Sequence, residues 1–129
     1  MTKPSKKIVT NDKSIDNAEQ ELDIKYPPII RDRLKERNGF DWGHFRFFCV
    51  LDQEDKFHTF DDVVRENKSW KQYLPENQIA IASEDILCLT LSTKKDNSIY
   101  LYNHQTGELE VFAETDKELQ QKLDAQEES

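Results

Sequence analysis

The chain has 129 residues and a formal net charge of −8, from 18 basic and 26 acidic side chains, with 34% of its residues charged. That length supports one domain around one core, burying roughly two-thirds of the surface of the unfolded chain, and it excludes large multi-site enzymes. The acidic excess repels phosphate backbones and anionic lipid heads, so direct nucleic-acid and membrane-surface binding are disfavoured and a cationic partner is favoured.

The charge is unevenly placed. Lys3, Lys6, Lys7 and Lys13 against Asp12 leave residues 1–13 at +3 and the remainder at −11. Residues 1–13 read as a flexible basic tail, residues 14–125 as a single domain, and residues 126–129 as a short acidic end. No apolar run approaches the ~20 residues of a membrane helix. Ile8-Val9 falls far short of a signal peptide's apolar stretch, so the expected location is the cytoplasm. Cys49 and Cys88 sit in apolar β-like runs without paired spacing, which suits reduced thiols. Mean hydropathy is −0.87, but two Trp, four Tyr and seven Phe with clear periodicity supply a core.

In chain order, Ser14 caps a helix carrying Ile15, Ala18 and Leu22 at helical spacing. Pro27-Pro28 opens a second helix with Ile30 and Leu34 on one face, stopped by Asn38-Gly39. After a loop holding Asp41, Trp42 and Gly43, residues 44–51 read as one strand that becomes apolar throughout. Thr59-Phe60-Asp61-Asp62 resembles a capping box that opens a third helix through Val63, Val64 and Trp70. From Ile79 the period becomes two, giving two strands with Glu84-Asp85 at their turn and two more joined by residues 104–108, where Gly107 permits positive φ. Thr115 with Glu118 opens a last helix carrying Leu119 and Leu123. Short connections between strands require antiparallel pairing. The expected fold is therefore α+β: an antiparallel meander of about five strands, two N-terminal helices, a helix between the first and second strands, and a C-terminal helix.

Chemistry is sparse in this pattern. His44, His58 and His104 are far apart and none stands at a metal-ligand spacing. Ser83, Ser92 and Ser98 have no flanking glycine, and glycines at 39, 43 and 107 alone build no phosphate-cradling loop. The carboxylate pairs Glu54-Asp55, Asp61-Asp62 and Glu84-Asp85 fall at turns or a helix start, where the helix dipole and solvent account for them. No catalytic set, metal or cofactor is expected. Trp42 has two readings, an interface anchor among acids or a lid folded onto the core. Trp70 reads as core.

The run Ile15-Asp16-Asn17-Ala18-Glu19-Gln20-Glu21-Leu22, then Tyr26-Pro27-Pro28-Ile29-Ile30-Arg31-Asp32-Arg33-Leu34 and Asn38-Gly39, resembles the opening of the SUKH superfamily (Smi/Knr-like domains). Leu74-Pro75 before Ile79-Ala80-Ile81-Ala82, Tyr100 and Tyr102 before His104, and Thr106-Gly107 continue the likeness over residues 14–123. Tyr26 stands where a leucine is usual, and Ser83-Glu84-Asp85 replaces a Gly-Asp step. The resemblance implies an α+β fold and, in bacteria, a cytosolic immunity protein that binds and neutralises a secreted toxin, often a nuclease. Ala18, Leu22, Pro27, Leu34, Asn38 and Gly39 are implied scaffold. On that basis the toxin-binding surface is expected to draw on Asp41, Trp42, Glu54, Asp55, Glu84 and Asp85, as acidic turn residues and one loop aromatic, with Glu108, Glu110, Glu114 and Asp116 as the second choice. The competing readings are an intracellular scaffold or regulatory domain of the same fold, and a small hydrolase using Glu84, Asp85 and His104.

Overall fold

The computed structural model of the protein describes residues 9–57, 59 and 62–128. Its elements are α1 (Asp12–Leu22), α2 (Pro28–Glu36), β1 (Phe40–Trp42), β2 (Phe45–Phe47), α3 (Val63–Trp70), β3 (Gln78–Glu84), β4 (Leu87–Ser92), β5 (Ile99–Asn103), β6 (Leu109–Ala113) and α4 (Asp116–Glu128). The strands form one antiparallel sheet in the order β1-β2-β3-β4-β5-β6. This is the α+β meander expected from the sequence, with one strand more. The extra strand comes from the segment read as a loop and a single strand over residues 44–51. Phe40, Asp41 and Trp42 alternate in, out, in, Gly43 turns the chain at φ +60°, and Phe45, Arg46 and Phe47 return alongside. Three residues before a glycine are too few to show a period of two, so Phe40–Trp42 read as loop.

Strand alternation gives the sheet two faces. Leu89, Leu91 and Ile99 pack with Ile15 and Ala18 of α1, Ile30 and Leu34 of α2, and Leu119 and Leu123 of α4 in the main core. Cys88, Ala80 and Tyr102 form a smaller cluster with Phe48, Trp70 and Leu74. Because Cys88 and Leu89 are neighbours in one strand, the two clusters lie on opposite faces. Trp70 is thus half-buried over the smaller cluster. Cys49 and Cys88 form no disulfide, and burial pushes the Cys88 thiol well up from its ordinary range.

Helix starts follow their caps more than their apolar spacing. Asn11 Oδ1 accepts from the Ser14 N–H at 2.9 Å, so α1 begins at Asp12 and Ser14, expected as the cap, is buried inside the helix. Asp62 caps α3 by accepting from the Val64 and Arg65 N–H groups at 2.9 and 3.2 Å. Thr59 Oγ1 instead donates to the Asp55 carbonyl at 2.7 Å, while Phe60 and Asp61 of the expected box lie outside the described residues. Glu118 N–H donates to Thr115 Oγ1 at 3.1 Å, so Thr115 caps α4, while Glu118 Oε1 accepts from Glu114 N–H at 3.1 Å, one residue before the position a full capping box uses.

Two buried asparagines complete what the strands leave open. β2 meets β3 only at Arg46 with Ser83 and Phe47 with Ala82, so the first half of β3 lacks a strand on that side. Asn67 takes its place: Oδ1 accepts from the Ala80 N–H at 2.7 Å, and Nδ2 donates to the carbonyls of Ala80 and Val63, both at 2.8 Å. Asn38 treats Val50 the same way, accepting from its N–H at 2.8 Å and donating to its carbonyl at 2.9 Å. The Asn38-Gly39 pair is therefore a clamp and a turn, since the residue that ends α2 is Arg37, with extended backbone at φ −154°.

Replacing Asn67 with Ala leaves the Ala80 N–H and carbonyl buried without partners and is expected to cost about 3 kcal/mol. Urea unfolding checks this as a lower midpoint at unchanged slope. Tyr26 is the opposite case. It is 2% exposed and its hydroxyl meets no hydrogen-bond partner among the described residues. Burial, with the Glu19 charge adding to it, raises its pKa far above the ordinary value near 10. The unfolded chain ionises above pH 10 while the folded chain stays protonated, so this group's contribution is intact below pH 10 and is lost as pH rises beyond it. Tyr26→Phe is expected to raise stability at neutral pH by about 1 kcal/mol and to flatten the decline above pH 10 in denaturant titrations.

Candidate protein-binding surface

Much of the acidic charge on the helical layer is spent internally. Arg31 of α2 holds Asp12, Asp16 and Glu19 of α1 at 2.9, 3.0 and 2.8 Å, and Lys35 adds a contact to Asp12 at 3.3 Å. Hydrogen bonds from Arg31 and Lys35 hold the Asp12 carboxyl below its usual range. Burial pulls the Arg31 guanidinium down, but its bonds to Asp12 and Asp16 outweigh that and leave it raised. The second Glu19 oxygen accepts from the Tyr26 N–H at 2.6 Å, fixing the turn between the helices. Asp23 pairs with Lys95 at 2.7 Å.

The six residues expected at the partner surface lie in three places. Asp41 is exposed on β1 and faces Arg46 across the ladder at 3.5 Å. Glu54 and Asp55 belong to the connection that leaves the far end of β2, where the Glu54 N–H donates to Asp52 Oδ1 at 3.0 Å. Glu84 and Asp85 form the β3–β4 turn, with Asp85 at φ +47°. Trp42 corrects one of its two readings. It is fully buried, stacked under the Arg33 guanidinium at 3.5 Å, and its Nε1 donates to Asp124 of α4 at 2.8 Å. An aromatic with no exposed surface anchors no partner, so Trp42 is core.

His104 shares an end of the sheet with Glu84 and Asp85, since its N–H donates to the Ile86 carbonyl at 2.8 Å. Its ring, however, packs on Tyr73 at 4.2 Å and on Trp70 at 5.7 Å between centroids. No three His, Cys, Asp or Glu side chains among the described residues converge to hold a metal ion. No helix among them is long and apolar enough to cross a membrane.

The conspicuous surface is one the sequence reading placed second. α3 and the residues after it cover only the middle of the sheet's smaller-cluster face, and toward β6 the cover ends. Leu109 is 36% exposed and Val111 47%, standing beside Tyr102 and Tyr100 in the ladder. Tyr102 donates its hydroxyl to the Tyr73 carbonyl at 2.8 Å, bringing the exposed Tyr73 to the same side. Glu108, Glu110 and Glu114 are exposed along the same stretch of chain, with Glu110 on the opposite face from Leu109 and Val111. Asp116, grouped with them from sequence, serves the fold: its Oδ2 accepts from the Ile29 N–H at 3.1 Å at the start of α2. The available signal was the alternation Glu108-Leu109-Glu110-Val111, which looks like an ordinary half-buried strand until the helix coverage is known. A separate cleft of about 480 Å³ runs between α1, α3 and β3, floored by Leu22, Val64, Leu74 and Ile79.

These features define a class: a small α+β domain with an exposed apolar strip on a strand that also carries acids, the kind of surface that meets another protein. The sequence model of the SMI1 / KNR4 family (SUKH-1) matches residues 10–120, and the chain belongs to that family. No curated protein matches it. Family membership fits a toxin-immunity role in general, with a protein as partner.

Because Trp42 is core, Trp42→Ala is expected to cost about 3–5 kcal/mol of stability, whereas Asp41→Asn, on an exposed pair, should change stability by less than about 1 kcal/mol. Thermal unfolding of the two variants separates them.

Proposed function

We propose that the protein is a cytoplasmic bacterial immunity protein that binds a cognate toxin, a basic nuclease, and neutralises it by covering its substrate groove without chemistry of its own. One observation carries this reading. The acids of α1 are tied up by Arg31 and Lys35, while Glu108, Glu110 and Glu114 stand exposed along the same stretch of chain as Leu109 and Val111. Exposed carboxylates are therefore presented on the same strand as an apolar strip, in a chain of net charge −8. A basic nuclease groove, built to bind phosphates, is attracted by that field, and association gains rate and specificity from complementary potential. Direct nucleic-acid binding by the chain itself is opposed by its net negative charge.

The test is binding of the purified chain to a catalytically inactive form of the toxin encoded beside its gene. Nanomolar affinity is expected, with association that slows as salt rises. Glu108→Lys combined with Glu110→Lys is expected to slow association by about tenfold at low salt and to flatten its salt dependence. Absence of binding to any neighbouring toxin contradicts the proposal.

A further inference from the structure

The two edges of the sheet are treated differently. At β1, α4 closes on the hairpin: the Gly43 N–H donates to Glu127 Oε1 at 3.1 Å, the His44 N–H to Gln126 Oε1 at 2.9 Å, and Trp42 Nε1 to Asp124. A Cβ on Gly43 would stand 2.5 Å from Gln126 Oε1, so the approach is tight. At β6 no such cover exists along residues 109–111 among the described residues, where Leu109 and Val111 are exposed. The Asn103 N–H donates to the Glu108 carbonyl at 2.9 Å, which makes that couple a hydrogen-bonded pair. Leu101 with Glu110 is the next such pair along the register. The alternation of antiparallel ladders then turns the N–H and carbonyl groups of Leu109 and Val111 outward, away from β5. Further along, Lys122 Nζ donates to the Phe112 carbonyl at 2.6 Å and closes the run.

An open edge with exposed apolar residues invites another strand. A second copy of this chain is a poor one. Antiparallel pairing of the open stretch 109–111 with its own copy, Leu109 against Val111, sets Glu110 opposite Glu110, and like charges directly opposite destabilise a strand pair. A strand with apolar residues opposite Leu109 and Val111 and a cation opposite Glu110 satisfies both faces, because Glu110 points to the other side from its neighbours.

We propose that β6 is a docking edge that takes an extended segment of a basic protein partner as a seventh strand, apolar side chains meeting Leu109 and Val111 and a lysine or arginine meeting Glu110. The choice of occupant rests on the toxin-neutralising role. Main-chain hydrogen bonds supply attachment, and the alternating side chains supply selection.

The probe is an acetylated, amidated peptide of alternating valine and lysine, titrated into the full ¹⁵N-labelled chain. The expected result is amide shift change and slowed hydrogen exchange at Leu109 and Val111. A valine–glutamate peptide should leave these amides unmoved, and backbone N-methylation along the β6-facing side of the valine–lysine peptide should abolish the effect. Glu110→Lys should weaken binding roughly three- to tenfold. Val111→Pro removes one outward N–H without touching the β5 ladder, and should block the peptide; the N-methylated peptide makes the same test with an unaltered protein. Unmoved β6 amides, equal binding of the N-methylated peptide, or shifts centred on Leu22, Leu74 and Ile79 in the cleft would overturn the proposal. Toxin binding unchanged by Val111→Pro removes the edge and leaves the immunity role, whereas peptide binding at β6 without any toxin binding does the reverse.

Discussion

A buried peptide group must find a hydrogen-bond partner, and in this fold two asparagine side chains supply what the strands do not. β2 is three residues long and leaves the early part of β3 unpaired. Asn67 brings one carboxamide to both the N–H and the carbonyl of Ala80, and in the same contact pins α3 against the sheet. Asn38 does likewise for Val50, holding the chain as it leaves β2. With α3 fixed in that position its trailing residues cover the centre of one face and stop short of β6. The open strip is a consequence of where the clamp sits.

Electrostatics follows the same division of labour. The carboxylates of α1 face Arg31 and join the first two helices. Asp116 and Asp124 serve α2 and Trp42. Asp85 of the β3–β4 turn and Glu108 and Glu110 at β6 stay exposed. Net charge alone cannot distinguish a carboxylate held by a guanidinium from one left in the field, because it records composition and not position.

Most of the architecture was legible in the sequence for physical reasons that can be named. The period of two from Ile79 onward, the positive-φ glycine at 107 and the Thr115–Glu118 box are local signals, and the meander and α4 followed from them. The β1–β2 hairpin was missed because Phe40–Trp42 is only three residues long and abuts Gly43, so it read as a loop before the strand that starts at His44. Helix starts shifted because a cap is decided by which oxygen reaches the free N–H groups, as with Asn11 and Asp62. The surface was the hardest part. Trp42 could be read as exposed or buried until Asp124, 82 residues away in sequence, was seen on its indole nitrogen. Leu109 and Val111 alternate with glutamates as in any half-buried strand, and only the folded chain shows that they are uncovered.

Edge, apolar strip and unspent carboxylates coincide on one strand, and each has a different structural origin. Their coincidence makes β6 the centre of a protein-binding account, and hydrogen–deuterium exchange of the full chain, with and without the inactive form of the toxin encoded beside its gene, tests it most directly. The account predicts new protection at the Leu109 and Val111 amides. Protection confined to the Glu54-Asp55 connection or the Glu84-Asp85 turn, with β6 exchanging as before, would contradict it.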